Sequence, residues 1–163
     1  MDRLWSPWRY RYITAPGPDA AGEPACIFCQ KFASGNDEAA LIIHRADHNA
    51  VLLNLYPYTS GHLMVIPYAH VSTLDECPPG VLAELILLAQ KAERRLRAEY
   101  RCEGLNIGFN IGACAGAGVA GHLHLHLVPR WPGDANFMTT VGETRVLPEE
   151  LSVTYRRLAT GWD

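Results

Sequence analysis

The sequence predicts an α+β fold: an antiparallel sheet of about five strands with one long helix and a C-terminal helix. Three observations predict it. Short apolar runs separated by turn residues recur between positions 41 and 67, in the manner of a strand meander. A single segment, Leu82 to Tyr100, has helical periodicity. Two further alternating runs, 105–111 and 121–131, flank a loop of small residues.

Chain length and composition set the frame. At 163 residues a single domain with a real core is expected, and 48% hydrophobic with 19% charged residues is ordinary for a globular chain. The formal net charge of −3 lacks the basic excess of a nucleic-acid binder, so no nucleic-acid partner is expected. No run reaches the 18 or more apolar residues of a membrane helix, so no membrane partner is expected either. The five cysteines (Cys26, Cys29, Cys77, Cys102 and Cys114) are odd in number and scattered. They do not form a disulfide framework, and a reducing, cytoplasmic setting fits them.

Residues 1–25 read as an N-terminal arm and loop, and 26–163 as one domain. The arm carries Trp5, Trp8, Tyr10 and Tyr12, side chains suited to docking, and residues 14–25 are rich in Pro and Gly. Cys26 and Cys29 form a CxxC, either half of a metal site or a redox pair. The redox version sits where a strand feeds a helix, and no βαβ pattern is present here.

Leu41-Ile42-Ile43-His44 and Ala50-Val51-Leu52-Leu53-Asn54-Leu55 are the first two strands, joined by a turn at 45–48. A second turn, 56–61, leads into His62-Leu63-Met64-Val65-Ile66-Pro67. Asn54 closes one strand and His62 opens the next, so both can face one cleft; Asn54 reads equally as a turn former bonding its own backbone. His70 lies just beyond. Pro78-Pro79-Gly80 introduces the long helix, with Leu82, Leu85, Ile86, Ala89, Ala92, Leu96 and Tyr100 at helical spacing. Lys91, Arg94, Arg95 and Arg97 read as its solvated side.

Leu105 to Ile111, including Asn110, alternates like a strand. The loop that follows, 112–121, contains Gly116 and Gly118, and such small residues let backbone N–H groups approach an anion. It is no Walker loop, because no Gly-Lys-Ser/Thr follows.

Next comes Gly121-His122-Leu123-His124-Leu125-His126-Leu127-Val128-Pro129-Arg130-Trp131. In a strand His122, His124 and His126 share one face and Leu123, Leu125 and Leu127 the other. The residues alone leave metal ligation, nucleophilic or acid/base chemistry, and packing all open. A turn at 132–136 precedes a last strand over Phe137 to Val141, and 148–162 reads as the C-terminal helix.

With these residues in place the chain resembles the histidine-triad (HIT) family of nucleotide hydrolases and transferases. The resemblance rests on His122-Leu123-His124-Leu125-His126-Leu127-Val128 and on Asn54-Leu55-Tyr56-Pro57 with Gly61-His62. It spans nearly the whole chain and is nearest the bacterial diadenosine-polyphosphate hydrolases and phosphorylases. It departs at Gly118, where many members carry a polar residue, and at Gly121.

The resemblance implies that His124 is the nucleophile at the α-phosphorus of an adenine nucleotide or dinucleoside polyphosphate. It implies catalytic support from His126, His122 and His62, and nucleotide binding by Asn54, Asn110, Gly116, Gly118 and His126. Structural zinc on Cys26, Cys29, His70 and His122 is implied as well, without an organic cofactor, together with a homodimer whose sheets join. A phosphoramidate or adenylyl-conjugate hydrolase and a non-enzymatic nucleotide sensor are the alternatives.

Overall fold

The computed structural model describes residues 26–142 and 149–162. The sequence expectation of an arm over residues 1–25 lies outside them.

Helix α1 (Ile27–Ala33) begins directly after Cys26, and α2 (Asp37–Ala40) is capped by Asn36, whose side chain accepts from the Ala39 N–H. Neither helix was expected from periodicity, because each is short and held by tertiary contacts. Strands β1 (Ile42–Arg45), β2 (Asn49–Leu53) and β3 (Leu63–Pro67) form the expected meander. Helix α3 (Pro79–Tyr100) is the long helix, with proline in its first turn. Strand β4 (Gly104–Phe109), a 3₁₀ turn at Ala113–Ala115 and strand β5 (Leu125–Arg130) follow.

All five strands join one antiparallel sheet in the order β1-β2-β3-β5-β4. One face buries Val51, Leu53, Leu63, Val65, Leu125 and Leu127 against Leu85, Leu88, Ala89, Ala92 and Leu96 of α3. The other face packs Ile42, Ala50, Leu52, Met64 and Ile66 against Phe28 of α1 and Ala40 of α2. Helix α1 thereby lies over the face that carries the histidines.

Three details differ from the sequence expectation. The segment expected as a last strand, Phe137 to Val141, is instead a short helix α4 (Phe137–Thr140). Asn136 caps it by accepting from the Met138 N–H, a local bond that overrides the strand propensity of Phe, Thr and Val. The histidine strand is regular only from Leu125; before it the backbone is held elsewhere, Leu123 N–H donating to Val71 C=O at 2.7 Å. The basic side of α3 is partly covered, since Arg95 reaches the Arg157 carbonyl and Lys91 the Trp162 carbonyl beside helix α5 (Leu151–Leu158).

Gly61 is a position where any other residue would be strained. Its φ is +77°, and an added Cβ would stand 3.1 Å from side-chain carbons of both Leu96 and Tyr100. That close approach presses the 54–62 loop onto α3 and delivers His62 to the mouth of β3.

Candidate active site and metal centre

Strand pairing assembles the site. Met64 of β3 and Gly108 of β4 lie opposite His126 of β5. An added Cβ at Gly108 would meet nothing within 4 Å, so the space beside His126 is open. The β4–β5 pairing ends at Phe109 opposite Leu125, one residue before Asn110 and one after His124. The imidazoles form a row: His124 to His126 is 4.8 Å between ring centroids, and His126 to His62 is 5.1 Å.

Hydrogen bonds assign the tautomers, because a carbonyl can only accept and an amide N–H can only donate. His124 Nδ1 lies 2.7 Å from the His122 carbonyl, so Nδ1 carries the proton and Nε2 keeps its lone pair. The Tyr58 N–H donates to His62 Nδ1 at 3.1 Å, so the His62 proton is on Nε2. That Nε2–H donates to His126 Nδ1 at 2.9 Å, which leaves His126 with an Nε2–H to offer. One ring of the row therefore presents a nucleophilic lone pair and its neighbour a donor.

The electrostatics agree with neutral rings. Burial pushes His124 below the ordinary imidazole range, against an opposing pull from the His122 carbonyl. His126 is lowered to about 4, by burial first and by the neighbouring His124 second. Both stay neutral near pH 7.

Asn54 sits beside His62, its Nδ2 3.4 Å from Nδ1, and its Oδ1 accepts from the Tyr56 N–H. It thus forms the turn and reaches the row at once. Gly116, with φ +89°, ends the 3₁₀ turn, and Gly118 is exposed in the same loop.

A second cluster adjoins the row. Cys26, Cys29, His70 and His122 each offer one ligand atom, and these atoms all lie within 4.8 Å of one another. Cys26 Sγ is 3.3 Å and Cys29 Sγ 3.7 Å from His122 Nδ1, and Cys29 Sγ is 3.4 Å from His70 Nδ1. Tetrahedral zinc, with bonds near 2.3 Å to sulfur and 2.0–2.1 Å to nitrogen, needs ligand-to-ligand edges of roughly 3.3–3.8 Å. His122 Nε2–H donates to the Pro67 carbonyl at 2.8 Å, which turns the bare Nδ1 toward the sulfurs. A carbonyl holding the far nitrogen of a histidine is the usual outer support of such a ligand. The four residues fit a metal ion. Without one, the Cys29 thiol is pushed up, by burial and then by the adjoining Cys26.

A sheet carrying a His-x-His-x-His row at β5 defines a class, and the comparison with known proteins bears it out. The chain belongs to the HIT domain family, which matches residues 36–133. It is 43% identical to the AP-4-A phosphorylase of Mycobacterium tuberculosis (strain ATCC 25618 / H37Rv) over 166 residues, 99% of this chain and 85% of that protein. It is 30% identical to the asymmetrical bis(5'-nucleosyl)-tetraphosphatase of Schizosaccharomyces pombe, across 68% of this chain and 58% of that protein. Among solved structures, a Zn-bound histidine triad family protein from Mycobacterium smegmatis superposes with a TM-score of 0.68 at 28% identity. That match covers 85% of this chain and 93% of the other.

The sequence missed Phe28. Its ring lies 5.5 Å from His122 and 5.4 Å from His124, bridging the cysteine–histidine cluster and the row. Its position between the two cysteines of the CxxC was the available signal.

Proposed function

We propose that this protein cleaves dinucleoside polyphosphates at the α-phosphate through a covalent nucleotidyl-His124 intermediate. The observation that carries the reading is the His124 tautomer: a neutral, buried ring with Nδ1–H on the His122 carbonyl and a free Nε2 lone pair. The Nε2 lone pair forms a bond to the α-phosphorus as the bond to the bridging oxygen breaks, and the electron pair leaves on the polyphosphate, already an anion near pH 7. The positive charge that develops on the ring is met by the His122 carbonyl through Nδ1–H. His126 Nε2–H, oriented by His62, donates to a phosphoryl or leaving oxygen where negative charge grows. Asn54, Asn110 and the loop with Gly116 and Gly118 bind the nucleotide in this reading.

An acceptor then attacks the phosphorus and frees His124. Similarity to a protein named AP-4-A phosphorylase, at 43% identity across 99% of the chain, supports inorganic phosphate as that acceptor. The test is product analysis with diadenosine tetraphosphate, with and without phosphate. ATP plus ADP only in its presence is the expected result. ATP plus AMP in both conditions identifies a hydrolase, and no product overturns the reading in favour of a phosphoramidate or adenylyl conjugate.

Cys26, Cys29, His70 and His122 would hold a zinc ion whose contribution is structural, tying α1 to the approach of β5. Strand β4 supports a homodimer: it is a sheet edge with Asn106, Ile107 and Gly108 exposed, available to pair with a second copy. Five free cysteines support a reducing, cytoplasmic setting, and among the described residues no helix is long and apolar enough to cross a membrane.

A further inference from the structure

The imidazole row does not end at His62. The Tyr58 ring lies 4.7 Å from His62 and 6.2 Å from His126, nearly parallel to the latter at 28°. Tyr58 is also a wall of a cavity of about 390 Å³, within the range of small-ligand pockets. One residue thus ends the row and opens the cavity. The far wall holds Trp131 and Tyr100, fixed to each other by a bond from Trp131 Nε1–H to the Tyr100 carbonyl.

The chemistry of this cavity differs from that of the row. Tyr58 and Trp131 suit the faces of a heterocyclic base, whereas the Tyr100 ring is already covered by the Arg157 guanidinium, 4.2 Å from its centroid. Asn136 and Thr139 add polar groups along its rim, and the Ser60 hydroxyl is buried in its lining without a hydrogen-bond partner among the described residues. Its charge is not that of a phosphate site. Arg157 is engaged by the Glu149 carboxylate and the Glu99 carbonyl, and Asp134 adds a second carboxylate, itself bound to Arg130. Phosphates are therefore disfavoured inside, whereas the hydroxyls and ring nitrogens of an uncharged nucleoside find partners.

We propose that this cavity is the subsite for the second, departing nucleoside of a dinucleoside polyphosphate. The inference rests on the reading of His124 as the nucleophile for such substrates. The reacting phosphate sits at His124, the remaining phosphates run past His126 toward the exposed Tyr58, and the distal base passes Tyr58 to enter the cavity. A mononucleoside polyphosphate leaves it unfilled, so the cavity favours substrates with a nucleoside at both ends.

The test is equilibrium binding to the full chain carrying His124→Ala, which separates affinity from turnover. Diadenosine tetraphosphate should bind about tenfold more tightly than adenosine tetraphosphate, the value of one stacked base. Adding Thr139→Tyr, which fills the cavity from its rim, should remove that difference. So should Asn136→Asp, which keeps the α4 cap but replaces the amide donor. Equal affinities in the parent, or a difference that survives both changes, overturn the subsite. Wild-type protein that leaves diadenosine tetraphosphate intact, alongside a difference that both changes remove, instead overturns the nucleotidyl-transfer reading and leaves the subsite standing.

Discussion

The Phe28 ring meets the His124 ring at 5.4 Å with a tilt of 54°. Phe28 is 5% exposed and belongs to the turn of α1 that Cys26 and Cys29 bracket. Whatever fixes that turn therefore fixes one wall around His124.

Phe28→Ala should destabilise the fold by about 3–5 kcal/mol, the usual cost of removing a buried phenyl ring. It should also slow nucleotidyl transfer, because the His124 ring loses a packing wall and gains freedom about its bond to the His122 carbonyl. Urea unfolding and a single-turnover assay at a temperature where both proteins are folded measure the two effects. Phe28→Leu should recover most of the stability and less of the rate.

His124→Ala should reduce turnover by about 10⁴-fold or more, as loss of a covalent nucleophile does, while nucleotide binding persists. Quenching the wild type with detergent at alkaline pH, with label on the α-phosphate, should trap an acid-labile phosphorus–nitrogen adduct that the variant lacks. His126→Ala should lose rate without losing the adduct, since it donates to oxygen and forms no bond to phosphorus.

The pH dependence of stability has a defined sign. In the folded chain His126 titrates at about 4, well below the ordinary imidazole value near 6.5 that the unfolded chain keeps. Its contribution is therefore complete above about pH 6.5 and is lost as pH falls toward 4, because only the unfolded chain takes up the proton in that window. Burial lowers His122 and His124 in the same direction. His126→Gln should make the decline in urea midpoint between pH 6.5 and 4 shallower than in the wild type.

Metal analysis of the purified protein should find one zinc per chain. Its removal by a chelator should lower stability by about 2 kcal/mol or more and Tm by about 4–8 °C. Cys29→Ser should show the lower Tm without chelator, and adding zinc should not restore it.

Much of this was legible in residue order. The meander was written as short apolar runs between turns, β5 as two-residue alternation and α3 as helical spacing behind its prolines, because regular burial leaves a trace in residue order. Helices α1 and α2, of 7 and 4 residues, leave none, since so few turns hold no stripe and their stability comes from Phe28 and Ala40 packing on the sheet. Helix α4 misled for a related reason: one side-chain bond from Asn136 outweighed five residues of strand propensity. Within the site, the spacing of His122, His124 and His126 was visible. The 2.9 Å contact between His62 and His126 was not, because it joins positions 64 residues apart and exists only once β3 and β5 are in register. Tautomers lay further out of reach, since they depend on the carbonyls of His122 and Pro67 and the N–H of Tyr58.

Position 122 serves two neighbours through two different parts of one residue. Its ring faces the cysteines, while its carbonyl oxygen holds the proton of His124. Every amino acid carries that carbonyl, whereas only a few side chains can ligate. A chain that lost its cysteines could accordingly exchange the imidazole at 122 and still hold the His124 ring in place, provided the backbone kept its path. The first histidine of the triad is in this sense the one most open to drift, since its ring serves the cysteine–histidine cluster and only its backbone serves His124.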